Sequence, residues 1–376
     1  MAYLDNSATT KPDKAVADKI YEMLTVNFGN PSSFHKKGLN ANLELRAARE
    51  KIANALSCES EEIYFTSGGT EANNLAILGA AEAGKRKGKR IVTTAIEHES
   101  VLQSVDELEK QGFEVIRLMP DKQGRITEQQ VFDAVNSDTI LVSMMYVNNE
   151  VGSIMPVKSI KKAVKRANAP ALIHIDCVQA FGKLEVKPSK LGADLVTVTA
   201  HKIHGPKGVG ALYLKKGTRI LPRVFGGEQE KKLRPGTEAI PLIAGFGVAA
   251  DLIPDLKKQS EKIKEINAYA KEGLLSVPGV KINSGDDASD YIINLFVPTF
   301  MTSQTVVQHL SSKYGVYVSN GSACAKGKRS HVLTAMKLDD KIIEKSIRVS
   351  FSRTTTKGDI DEFVNAIKET VVQYPM

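Results

Sequence analysis

Between residues 63 and 214, apolar and often β-branched runs alternate with amphipathic stretches. The runs are Ile63–Thr66, Arg90–Thr94, Val115–Leu118, Ile140–Tyr146, Leu172–Ile175, Leu195–Val198 and Gly210–Leu214. The intervals predict helices from Thr70 to about Ala83 and near 99 to 110, whereas Gly210–Leu214 follows its predecessor without room for one. Short, continuously apolar strands separated by helices predict a mostly parallel sheet covered on both faces. The pattern is therefore α/β, with a large domain built on a seven-stranded sheet. Ahead of it, residues 37 to 57 read as an amphipathic helix with Leu39, Leu43, Leu45, Ile52 and Leu56 on its apolar side. Beyond about 257 the pattern changes. A charged helix near 255 to 274 is followed by short strands near 291–297, 316–318 and 347–351, with helices near 304–313 and 358–372. This predicts a smaller α+β domain over 258–376, with residues 1–12 packed against it and 13–257 forming the large domain.

Composition narrows the setting. Hydrophobic residues make up 42% of the 376 and charged residues 25%, as in ordinary globular proteins. No apolar run approaches the roughly 20 residues that span a bilayer, so no membrane association is expected. The start, Met1-Ala2-Tyr3-Leu4-Asp5-Asn6, has no signal-peptide profile. Three widely spaced cysteines, Cys58, Cys177 and Cys324, give neither a disulfide framework nor a zinc ribbon. A reducing cytoplasm is expected, and no metal site. The net charge of +8 lies largely in short clusters such as 85–90 and 161–166, which read as solvated faces. No nucleic-acid-binding motif accompanies them, so no direct nucleic-acid contact is expected.

Candidate chemistry gathers at the carboxyl ends of the predicted strands, where open α/β sheets bind ligands. Lys202 closes one strand, in Thr199-Ala200-His201-Lys202, and Asp176 closes another, in His174-Ile175-Asp176-Cys177-Val178-Gln179. A lysine able to form a Schiff base and a carboxylate able to keep a pyridine nitrogen protonated are the pair that pyridoxal phosphate chemistry uses. Thr66-Ser67-Gly68-Gly69-Thr70 joins a strand to a helix. Its glycines, the Thr70 hydroxyl and the open amides of the helix start suit a phosphate. His98 follows the second strand, where an imidazole could stack on a flat ring and move protons. Asn149 ends another strand and could hold a carboxylate or a cofactor oxygen. Arg348 lies in the apolar strand Ser346–Phe351. A buried guanidinium there needs a partner, and its planar fork matches a carboxylate.

Cys324 stands among small and basic residues, Gly321-Ser322-Ala323-Cys324-Ala325-Lys326-Gly327-Lys328-Arg329. Nearby positive charge favours a thiolate. Cys58 lies beside acidic residues, which disfavour one. Cys177 adjoins Asp176 and reads as a packing residue. Cys324 is the expected nucleophile.

Taken together, these segments resemble the cysteine desulfurases of the class V aminotransferase group, within the fold-type I pyridoxal phosphate enzymes. The resemblance runs nearly end to end. It takes in Tyr3–Thr10, Gly29–Ser33 with His35, Thr66–Asn74, Glu97-His98, Asn149-Glu150, His174–Gln179, His201-Lys202, Leu233–Thr237, Gly321–Cys324 and Arg348. It implies pyridoxal 5'-phosphate held by Lys202, with Asp176 on the pyridine nitrogen, Gln179 on the ring hydroxyl and His98 stacked on the ring. Gly69, Thr70, Thr199 and His201 would surround the phosphate. Thr237 would reach the phosphate of a neighbouring subunit, which implies a homodimer. Asn149 and Arg348 would hold the carboxylate of L-cysteine. Cys324 would accept its sulfur as a persulfide, releasing alanine.

Some positions depart from the common family pattern without removing a required group. They are Thr199 for serine, Cys177 for alanine, Pro235 for serine and Glu228 for glycine. The chain ends at Met376, soon after the last predicted helix, whereas family members that dock an iron–sulfur scaffold tend to carry a longer tail. With the basic rim of Lys326, Lys328 and Arg329, this favours a tRNA sulfurtransferase as the sulfur acceptor over an iron–sulfur scaffold. Selenocysteine lyase is the competing enzyme reading. An inactive pyridoxal-phosphate-binding partner protein is the non-enzyme reading, and the full catalytic set argues against it.

Overall fold

A computed structural model describes residues 1–320 and 329–376. Seven strands form one sheet, in the order Ile63–Thr66, Gly210–Leu214, Leu195–Thr199, Leu172–Asp176, Thr139–Met145, Arg90–Thr94, Glu114–Leu118. The last five run parallel to one another. Gly210–Leu214 is antiparallel to both of its neighbours. The short link from Thr199 explains that reversal, since a parallel return needs a longer crossover. Strands Thr139–Met145 and Leu195–Thr199 are buried at every position, as coverage on both faces requires.

The helix predicted over 37–57 spans Lys36–Leu56, with His35 capping its first turn by accepting from the Gly38 amide at 3.2 Å. Its inward stripe differs from the expected one. Ala41, Leu45, Ala48, Ile52 and Leu56 are buried, but Leu39 and Leu43 are 58% and 54% exposed. The helix packs on Ile240–Asp251 through small residues; a Cβ on Gly247 would lie 2.7 Å from the Ala48 Cα. So close an approach draws Ala41 and Ala48 inward and rotates Leu39 and Leu43 out.

A second sheet sets Ile292–Phe296 between Ser346–Ser350 and Lys281–Ile282, all antiparallel. Helices Leu256–Leu275, Ser303–Tyr314 and Lys357–Gln373 accompany it. The chain start joins this part: Ala2–Tyr3 pairs in parallel with Val316–Tyr317, and Asp5 bridges to Ser350. Among the described residues, no helix is long and apolar enough to cross a membrane.

Candidate active site

The carboxyl ends of the parallel strands open into a cavity of about 280 Å³. Gly69, Thr70, His98, Asn149, Asp176, Gln179, Thr199, His201, Lys202 and Arg348 all line it. Two sequence-predicted residues are not among them. Thr237 is exposed and stands clear of this cavity. Cys324 lies outside the described residues.

Asp176 ends its strand with both carboxylate oxygens engaged. Oδ1 accepts from the Val178 amide at 2.9 Å, and Oδ2 accepts from Asn73 Nδ2 at 2.8 Å. Lys202 sits on the short turn after its strand and donates to the carbonyls of Ser7 and Ala8, the latter at 2.7 Å. The chain start thus forms one wall. Gln179 adds to it: Nε2 donates to the Ser7 carbonyl at 3.0 Å, and Oε1 accepts from the buried Lys183 at 3.1 Å. Burial pushes the Lys183 ammonium down to about 8.

The glycine turn forms as the sequence predicts. Gly68 adopts φ +155, ψ −179, a conformation left to glycine, and starts the helix Gly69–Gly84 with no side-chain cap. The first amides of that helix stay open to an anion. Gly210 packs directly behind the turn; a Cβ there would lie 2.7 Å from the Gly68 carbonyl carbon. A neighbouring hollow shares Gly69, Thr70, Thr199 and His201 and adds Lys207. The side groups here are partly committed. Thr199 donates its hydroxyl hydrogen to the Val209 carbonyl at 3.1 Å, and His201 Nδ1 lies 3.3 Å from the Thr9 hydroxyl. Burial, then the charges of Lys202 and Lys207, push the His201 imidazole down to about 3, so it is neutral at physiological pH.

Arg348 is 1% exposed. Its Nη1 donates to the Asn149 carbonyl at 2.8 Å, and its Nη2 pairs with Asp5 at 2.9 Å. Nε is buried and has no partner. Part of the fork expected to meet a carboxylate is therefore held by the protein itself. Arg329, expected to form a basic rim, is ion-paired to Asp340 at 3.0 Å and Glu344 at 2.8 Å. That pairing offsets its charge and corrects the rim expectation for this residue; Lys326 and Lys328 lie outside the described residues. Cys58 and Cys177 fit their expected inertness. Burial, then Glu62 and Glu59, push the Cys58 thiol up to about 12. Cys177 is fully buried and its thiol is pushed well up.

Sequence reasoning gave no role to Asn73, Ser100, Ser7, Lys183 or Lys207. Lys183 had a signal, as a charge among Ala180, Phe181, Gly182 and Leu184, whereas Asn73 stands among Thr70, Glu71 and Asn74 and had none in its local pattern. Ser7 and Ala8 fell within the Tyr3–Thr10 stretch of the resemblance but carried no signal of their own, because their place depends on where the chain start docks. Among the described residues, no group of three or more His, Cys, Asp or Glu is placed to hold a metal.

The residues fit pyridoxal phosphate. A lysine and a fixed carboxylate share one cavity, an uncapped helix start adjoins it, and buried hydrogen-bonding atoms (Ser7 Oγ, Arg348 Nε) lack protein partners at its wall. Fold and site define a fold-type I pyridoxal phosphate enzyme. Residues 2–363 match the family model described as aminotransferase class-V. A cysteine desulfurase IscS of Methanosarcina thermophila is 40% identical over 373 residues, covering 98% of this chain and 91% of that protein. A solved structure described as a NifS-like protein superposes with a TM-score of 0.93 at 35% identity, covering 99% of this chain and 100% of that one. Another, SspA in complex with cysteine, gives 0.82 at 32% identity, covering 95% and 100%. The chain belongs to the class-V aminotransferase family, in its cysteine desulfurase group.

Proposed function

We propose that this chain takes sulfur from L-cysteine, releases L-alanine and leaves a persulfide on Cys324. The observation that carries the reading is the shared cavity of Lys202, Asp176, His98 and Arg348 in a chain that matches cysteine desulfurases over nearly its whole length. Pyridoxal phosphate, held by Lys202, Asp176, Gln179 and the Gly69-Thr70 helix start, supplies an electron sink when bound. Lys202 moves the Cα proton. Arg348 and Asn149 orient the substrate carboxylate. The Cys324 thiolate attacks the substrate sulfur, the Cβ–S bond breaks, and Cβ gains a proton. One cysteine and one enzyme thiol thus become one alanine and one persulfide.

The described ends of the segment that carries Cys324 support this. Ser319 exchanges backbone hydrogen bonds with Arg348, at 3.1 and 2.6 Å, and the Ser330 hydroxyl donates to the Glu150 carboxyl. Both anchors belong to residues that line the cavity. The protein works as a homodimer in which Thr237 serves the neighbouring site. Thr237 is exposed, and so are Tyr21, Leu24, Phe28, Phe34, Leu39 and Leu43 along the first two helices and their link. That much exposed apolar surface favours a partner. The enzyme acts in the cytoplasm and hands sulfur to an acceptor protein, a tRNA sulfurtransferase or an iron–sulfur scaffold.

The test is to add cysteine to the cofactor-loaded protein and trap persulfide. Alanine and trapped persulfide in equal amounts in a single turnover support the reading; cysteine left unchanged refutes it. Deleting the gene separates the acceptors, since lost tRNA thionucleosides and lost iron–sulfur enzyme activity are independent readouts.

A further inference from the structure

The helix Gly69–Gly84 carries a buried asparagine toward the cavity floor. Asn73 is 1% exposed, and its Nδ2 group has two hydrogens with two acceptors in reach. One is Asp176 Oδ2 at 2.8 Å, and the other is Ser100 Oγ at 2.9 Å. With both hydrogens so committed, the Ser100 oxygen acts as an acceptor toward Asn73. The single Ser100 hydroxyl hydrogen must then point elsewhere. His98 Nδ1 lies 2.9 Å from that oxygen, and the Ser100 amide also donates to Nδ1 at 3.1 Å.

Nδ1 therefore faces two donors and must keep its lone pair. The ring proton is left on Nε2. Charging the imidazole would place an N–H at Nδ1 against the Ser100 amide N–H, and burial already lowers the proton affinity of the ring. The charges that face His98 are Asp176 and Glu99, which favour its protonation, and Lys202 and His331, which oppose it.

We infer that Asn73 is a positioning residue: through Ser100 it locks His98 as the neutral Nε2–H tautomer while the same amide group holds Asp176. The consequence is chemical. A neutral Nε2–H imidazole facing the cavity can donate a hydrogen bond or a proton, but it cannot accept one there. The base role then falls to Lys202. This inference rests on the cofactor-site reading above, but its measurement does not depend on turnover.

The test is the nitrogen-15 spectrum of histidine-labelled, cofactor-loaded full-length protein, with the His98 signals assigned by their loss in His98→Gln. Nε2 is expected to carry the proton from pH 6 to 9. A ring proton on Nδ1 would overturn the inference. In Asn73→Leu the Ser100 hydroxyl is free to turn and accept, so the proton affinity of His98 should rise about tenfold, the scale of one hydrogen bond. Ser100→Ala removes one donor from Nδ1 and should move it the same way, which covers the case of Asn73→Leu failing to fold. A His98 titration unchanged in a folded variant would refute the role of Asn73. Failure to desulfurate cysteine with the tautomer as expected would refute the function and leave this inference standing.

Discussion

Asp5 and Arg348 lie 343 positions apart and meet as an ion pair at 2.9 Å. The arginine is almost fully buried, while Asp5 is about one-fifth exposed. This pair ties the chain start to the edge strand Ser346–Ser350 of the second sheet and fixes one arm of the guanidinium at the cavity wall. Removing one partner from a buried pair leaves a charge uncompensated, which costs about 3 kcal/mol or more when both ions are deeply buried. The exposure of Asp5 reduces that figure. Asp5→Ala should therefore lower the melting temperature by several degrees. It should also raise the KM for cysteine more than it lowers kcat, because Arg348 loses its tether. Steady-state kinetics beside a thermal melt check both.

Lys202→Ala should abolish the borohydride-reducible link between protein and cofactor and slow alanine formation by at least about a hundredfold, the low end for a lost general base. Mass spectrometry after reduction reads the first effect, and an alanine assay reads the second. A surviving reducible link would move the assignment to another lysine, and Lys183 is the buried one nearby.

Cys324→Ser should bind cofactor as the parent does and form no persulfide. Cys58→Ser and Cys177→Ala should desulfurate nearly normally, since both thiols are held protonated far above neutral pH. Alkylation near pH 7.5 should label Cys324 first. Peptide mapping of the labelled protein decides it.

Glu97 is fully buried, and burial pushes its carboxyl from about 4.5 up to about 8, against hydrogen bonds from Thr94 and the Met145 amide. The folded state therefore holds a proton that the unfolded chain has released. The stabilising contribution is fully present below about pH 4.5 and is lost as pH rises through about 8. Glu97→Gln removes this dependence. The difference in melting temperature between Glu97→Gln and the parent should shift in favour of Glu97→Gln as pH rises from 5 to 8. A difference that is flat with pH would mean Glu97 is ionised in the fold.

Glu230 adopts a left-handed backbone, φ 45, yet its side chain is 2% exposed. It accepts two bonds from Arg49, at 2.8 and 2.6 Å, and one from the Phe65 amide at 2.9 Å. Its anchoring offsets the backbone strain and secures the edge strand that leads into the glycine turn. Glu230→Ala should destabilise the fold by about 3 kcal/mol, as for a broken buried pair. Denaturant unfolding measures this. Cofactor affinity should fall with it, because the strand Ile63–Thr66 positions Gly68 and Gly69.

The sequence determined the seven strands of the large sheet and which reactive side chains stand at their ends. Apolar runs fixed the seven strands, the glycine pair fixed the turn, and Lys202, Asp176, His98 and Asn149 followed from standing where strands end. These are local properties, since periodicity and turn chemistry act over a few residues and survive any packing. Tertiary structure decided what depends on distant neighbours. Leu39 and Leu43 turned outward because Ala48 meets Gly247 across two helices. Arg329 is drawn into ion pairs by Asp340 and Glu344, which fold back beside it. Asn73 found Asp176 across 103 positions, and Arg348 found Asp5 across 343. No local pattern encodes such meetings, because each side chain's partner is set by how the two sheets and the chain start pack together.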